Sequence, residues 1–114
     1  MLESTTIKLD MTLLKNNFTT ETTELFFWNR TCFWCGKQHA NCYHHILGRC
    51  SNSPLNCSPL NNFECHIGNG KLSLFEYQQE LLKKTYQYLK KEGYVLTQKD
   101  KEFIKTHKKH YDFI

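Results

Sequence analysis

Cys32-Phe33-Trp34-Cys35-Gly36, followed by His44-His45-Ile46, Asn56 and Cys65-His66, is the run on which the reading of this chain turns. Two cysteines separated by two residues carry two thiolates off one tight turn onto one tetrahedral ion. A glycine directly after the second lets that turn close without a side-chain clash. Structural zinc (Zn2+) is therefore the expected occupant. The six cysteines could instead form a disulfide framework, but such frameworks belong to secreted chains. The opening MLESTTIKLDMTLLKNN has no basic leader, no continuous apolar core and no small-residue cleavage site. Reduced thiols and a cytoplasmic location are the expectation.

Working outward, residues 30–72 hold four of the five glycines, both prolines, all six cysteines and four of the six histidines. That concentration marks a loop-rich, site-bearing module. Within it, residues 40–47 read as a strand, 48–54 as a polar loop, and 55–60 as a return strand interrupted by proline. Asn61 and Asn62 then precede a short helical turn through Cys65-His66, which Gly68 and Gly70 would end. The whole chain has 114 residues, enough for one domain and an arm and too few for most multi-domain enzymes. A core this small needs a staple, and metal is the expected one.

The flanks differ from the module and from each other. Residues 1–29 read as an N-terminal arm, with a short strand where Ile7, Leu9 and Met11 alternate with polar residues. Its end, Leu25-Phe26-Phe27-Trp28, is apolar enough to cover a small core. Residues 73–114 read as a tail of two helices. Ser73 and Glu76 have the spacing of a capping box, and Leu74, Leu81, Tyr88, Phe75, Leu82 and Leu89 form an apolar stripe. Gly93 is a stop signal, and Thr97 to Asp100 offers a second N-cap. Apolar residues make up 39% of the chain and no run approaches the roughly 18 needed to cross a bilayer, so no membrane partner is expected. The net charge of +4 is lopsided: residues 1–82 carry six Lys or Arg against seven acids, and residues 83–114 carry nine Lys against four acids. A basic tail on a near-neutral body suits a polyanionic partner such as nucleic acid; the other reading of the same charge is a solvated lysine-rich helix.

The ordered set Cys-x-x-Cys, His-His-Ile, Asn and Cys-His resembles the HNH endonucleases, a branch of the ββα-metal (His-Me finger) nucleases. The resemblance covers residues 32 to about 71. The His44-His45 pair stands where that family more often has Asp-His, and Asn56 to Leu60 with Cys65-His66 resembles its Asn-Leu-x-Pro-Leu…Cys-His run. The implied fold is α+β: a small zinc-stapled ββα-metal core between the arm and the helical tail. The implied activity is phosphodiester hydrolysis by a small, phage-like nuclease. His45 would be the general base, since imidazole titrates near neutrality. His44 and His66 would hold a catalytic Mg2+ or Mn2+ ion, and Asn56 would brace the loop that aims the histidines. Ser-Pro-Leu-Asn occurs twice, so Asn61 is the other candidate for the central Asn, with Asn69 then a ligand. Cys65 would join Cys32 and Cys35 on the structural zinc. Asn62 stands where a second knuckle would begin, which leaves the fourth ligand to Cys57, Cys42, Cys50 or His39, with Cys57 the first choice because it lies on the segment leading to Cys65. Arg49 and Lys71 flank the site as candidate phosphate contacts. The alternative function is a zinc-binding nucleic-acid or protein adaptor that keeps the fold without the reaction.

Overall fold

A two-stranded antiparallel hairpin carries the histidine pair, and the long helix of the tail packs against its return strand. In the computed structural model, which describes residues 18–26, 29–48, 51–61, 65 and 74–114, β1 (Cys42–His45) pairs with β2 (Cys57–Leu60) in the register Cys42↔Leu60, Tyr43↔Pro59, His44↔Ser58, His45↔Cys57. Both strands are shorter than the sequence predicts, for local reasons. Ile46 and Leu47 leave β1 in a turn that ends at Gly48, whose φ of 85° suits a residue without Cβ. On the return, Ser53 accepts the Leu55 N–H at 3.1 Å and Pro54 takes the first position of a 3-10 turn, Pro54–Asn56. Proline costs nothing there because that N–H has no partner in any case. Pro59 is tolerated in β2 because the sheet has only two strands; its carbonyl accepts the Phe33 N–H at 2.9 Å.

The long helix α2 (Phe75–Lys91) organises the molecule. Leu81, Leu82 and Leu89 are buried as the apolar stripe predicts, together with Tyr77 and Thr85. Leu74 and Phe75 are instead exposed, at 49% and 38%, because they stand at the helix entrance, before the face that meets the core. The helix starts one residue later than the capping box implies: Leu74 is its N-cap and makes no side-chain cap bond. The same core-facing side places four polar side chains on carbonyls of four different segments. Tyr77 reaches Cys65 at 2.9 Å, Lys84 reaches Phe33 at 2.7 Å, Thr85 reaches Cys57 at 2.9 Å and Tyr88 reaches Leu25 at 3.0 Å. Carbonyls in loops and at the ends of regular elements are left without a partner by the local ladder, and α2 supplies donors to these four.

At its other end α2 stops in a Schellman turn. Gly93 adopts φ 83°, its N–H reaches Lys90 O at 3.1 Å and the Tyr94 N–H reaches Leu89 O at 2.9 Å. Helix α3 (Gln98–Thr106) follows behind a full capping box of Thr97 and Asp100, and a 3-10 turn (Lys108–Tyr111) packs back on α2. The N-terminal side adds helix α1 (Thr20–Leu25), capped by Thr19. Phe26, fully buried, stacks on Tyr88 with centroids 5.2 Å apart and meets Phe33 edge-on at 6.3 Å. The expected strand at Ile7–Met11, and Phe27 and Trp28, lie outside the described residues. Among the described residues no helix is long and apolar enough to cross a membrane.

Candidate functional site

Cys32, Cys35, His39 and Cys65 each direct one ligand atom to a common point, all four atoms lying within 4.8 Å of one another. A tetrahedral zinc with bonds of about 2.0–2.3 Å separates its ligands by roughly 3.3–3.8 Å, so this set needs only small adjustments to close on the ion. The knuckle forms because the Gly36 N–H reaches Cys32 O at 2.9 Å and the Cys32 N–H reaches Lys37 O at 2.8 Å, with Gly36 at φ 80°. His39 sits on the outgoing limb, where its Nε2 is 2.9 Å from the Cys35 Sγ. Cys65 comes from the far side of the hairpin, its N–H bound to Asn61 O at 2.9 Å. The Asn61 side chain ties the two limbs by donating to His39 O at 2.9 Å.

The fourth member of the cluster is therefore His39, and Cys57 is not among them. Cys57 opens β2 opposite His45, three residues before Leu60, so roughly 10 Å of extended strand separate it from the end of the hairpin that meets the knuckle. It is fully buried, its thiol held well above the usual range by burial and by neighbouring Cys42. Cys42, on β1 across from Leu60, is likewise pushed up to about 11 by burial, the Cys32 charge adding to it. Cys50 lies outside the described residues. The spacing Cys35-x-x-x-His39 was the available signal, being within the usual interval between paired zinc ligands. Among the described residues all five cysteines are free thiols.

Electrostatics around the cluster fit a metal. Burial opposes ionisation of Cys32, but the backbone N–H groups of Cys35, Asn61 and Trp34 outweigh it and the thiol is lowered. Burial and the adjacent Cys32 and Cys35 push Cys65 up to about 12. Thiols that crowd in this way compete for one negative charge, and a divalent ion relieves the competition by binding each as thiolate. Three thiolates and a neutral imidazole around Zn2+ leave one net negative charge. The Lys84 ammonium, which pairs with Glu80 at 3.7 Å, sits on the carbonyl of Phe33 between the two knuckle cysteines.

The histidine end of the hairpin is built differently. Asn56, fully buried, holds the turn after His44 and His45 from inside: its Oδ1 accepts the Leu47 N–H at 2.8 Å, and its Nδ2 donates to Gly48 O and Ser51 O, both at 2.9 Å. The Asn56 carbonyl also takes the Ile46 N–H at 2.9 Å. The repeated Ser-Pro-Leu-Asn thus supplies two braces, Asn56 for the histidine turn and Asn61 for the knuckle. His45, half-buried, stacks on Phe18 with centroids 3.8 Å apart and planes 9° from parallel, and its Nε2 is 3.0 Å from Asn52 Oδ1. His44 has its Nε2 buried. Among the described residues the pair joins no group of three or more metal-ligating side chains. His66, Arg49, Asn69 and Lys71 lie outside the described residues.

No family model matches the chain, and neither a curated protein nor a solved structure does.

Proposed function

We propose that this chain is a metal-dependent DNA endonuclease of the HNH type, hydrolysing phosphodiester bonds with His45 as general base. The observation that carries the reading is the grip of Asn56 on Leu47, Gly48 and Ser51, which fixes the turn directly following two adjacent imidazoles. A buried asparagine that spends its amide on three backbone groups rigidifies a loop, and a rigid loop is what a general base needs to meet its water at a fixed distance. Zinc on Cys32, Cys35, His39 and Cys65 would staple the opposite end of the hairpin and carry no chemistry. His44 and His66 would hold the catalytic Mg2+ or Mn2+ ion, which supplies positive charge against the charge that builds on the phosphate. Two imidazole ligands favour Mn2+ over Mg2+. The lysines of α2, α3 and the turn after them, with Arg49 and Lys71, would contact the DNA backbone.

Supercoiled plasmid incubated with the protein and Mn2+ or Mg2+ tests this reading. Nicked or linear product is expected from the wild type, with a loss of about 100-fold or more in His45→Ala, as for removal of a general base. Equal cleavage by the two proteins, or none by either, removes it. The second reading, a zinc-binding adaptor, is favoured by one observation: the only ligand cluster among the described residues is the Cys/His one. Native mass spectrometry separates the two. One tight zinc plus a weak Mn2+ supports the nuclease, and zinc alone supports the adaptor.

A further inference from the structure

His45 is gripped by two residues from outside its own hairpin strands, and resting on the nuclease reading, we propose that Asn52 and Phe18 are positioning residues for the general base. Asn52 Oδ1 can only accept, so the Nε2 it faces at 3.0 Å carries the proton. The neutral ring is thereby held with its proton on Nε2 and its lone pair on Nδ1. Among the described residues nothing donates to that Nδ1. Phe18 lies flat on the ring at 3.8 Å and 9°, and it is itself 7% exposed, so rotation of the imidazole about its second torsion runs into a fixed surface. One partner sets the tautomer and the other sets the plane.

Asn52 is itself anchored. Its carbonyl accepts the Thr22 hydroxyl at 3.4 Å, which ties it to α1. Its neighbour Ser53 donates to Asp100 Oδ1 at 2.6 Å. Asp100 is 2% exposed, and its other oxygen accepts Tyr94 Oη at 2.5 Å and the Thr97 N–H at 2.9 Å. The N-terminus of α3 thus fastens the loop that orients His45. The N-terminal segment touches the base directly through Phe18 and holds Asn52 through Thr22, and the helical tail holds the same loop through Ser53.

The experiment combines two readouts on the full chain. The first is 15N NMR of the imidazoles, taken at one pH where they are neutral, which reports the tautomer without any need for cleavage. The second is plasmid turnover with Mn2+. The wild type is expected to show His45 as the Nε2–H form. Asn52→Leu should relax the ring from a single Nε2–H form to the mixed tautomers of a free imidazole, in which Nε2–H is still the larger share, and drop kcat by about 10–100-fold with KM little changed, the size seen when a hydrogen bond behind a functional histidine is removed. Asn52→Asp, which keeps an acceptor oxygen in place, should restore both. Phe18→Leu should keep the tautomer and lower kcat. If Asn52→Leu keeps both the single Nε2–H form and wild-type turnover, or if Asn52→Asp fails to rescue a folded, zinc-loaded protein, the positioning role is overturned. Absence of cleavage by the wild type overturns the nuclease reading instead. The tautomer of Asn52→Leu then decides Asn52's hold on the ring: a mixture supports that hold and an unchanged single form overturns it. Should Asn52→Leu not fold, Asn52→Ser carries the same comparison.

Discussion

The knuckle end and the helical end of the molecule are held by opposite means. At the knuckle end, residues 29–41 have no regular secondary structure, and their order comes from a few backbone bonds and four side chains around one point. Apolar burial there is thin: Cys35 is exposed, His39 half-buried and Trp34 37% exposed, and Phe33 and Cys32 do the burying. At the helical end, α2 and α3 are held by side-chain packing and caps, with Leu81, Leu82, Leu89, Phe103 and Tyr111 all inside. A short segment cannot bury enough surface to offset its own ordering entropy, so the first end is expected to need a metal and the second is not. Two sources of stability in one small chain should be separable by experiment.

The largest effect should come from the metal. Apparent binding free energies of structural zinc reach about 10–16 kcal/mol in small domains, so chelation or Cys32→Ser should unfold the knuckle while much of the helical circular dichroism persists. Complete, simultaneous loss of both signals would break the comparison. The same site separates two candidate ligands: His39→Ala should release zinc and Cys57→Ser should keep one equivalent, as read by mass spectrometry under native conditions.

Next in size, Leu82→Ala at the centre of α2 should cost about 2–5 kcal/mol by cavity formation and leave zinc stoichiometry untouched. Denaturant melts with and without zinc are the measurement. Asp100→Asn should cost about 1–3 kcal/mol, because the buried carboxylate accepts bonds from Ser53, Tyr94 and Thr97. Burial alone would raise this carboxyl, but those donors prevail and lower it below its usual value. A lowered folded-state pKa adds stability above the unfolded carboxyl's pKa of about 3.9 and gives it up as pH falls through the lower folded value. The wild type should therefore lose stability over that acid range more steeply than Asp100→Asn does. The smallest effect is expected at Gly93→Ala, about 1 kcal/mol, since a Cβ is strained at φ 83° even though nothing lies within 4 Å of it.

Local signals in the sequence were reliable where one residue decides one bond. Thr97 and Asp100 form the capping box their spacing implies, Gly93 ends α2, and Cys32 and Cys35 face one point beside Gly36. The Ser73–Glu76 signal was equally good on paper and does not start the helix, because nothing in a capping motif fixes which turn the tertiary contacts favour. The heptad stripe located the buried face of α2 but missed Tyr77 and Thr85. These are buried with their hydroxyls satisfied by carbonyls of Cys65 and Cys57, partners distant in sequence. The segment 20–25 read as part of an arm and is a helix, its Thr19 cap hidden in a threonine-rich run.

What the sequence by itself determined is the inventory: a Cys-x-x-Cys knuckle able to hold a metal, a hairpin bearing adjacent histidines, and two helices in the tail, each specified by residues within a few positions of one another. Only the tertiary structure decided the choices among equals. It took His39 over Cys57 because strand length carries Cys57 away from the knuckle, gave the two asparagines of a duplicated tetrapeptide different turns to hold, and brought Phe18, Asn52 and Asp100 into one chain of contacts behind His45. Spacing along a chain constrains what can be close. Which of several suitable side chains becomes close depends on how the elements stack, and that is settled by burial and hydrogen bonding over the whole fold.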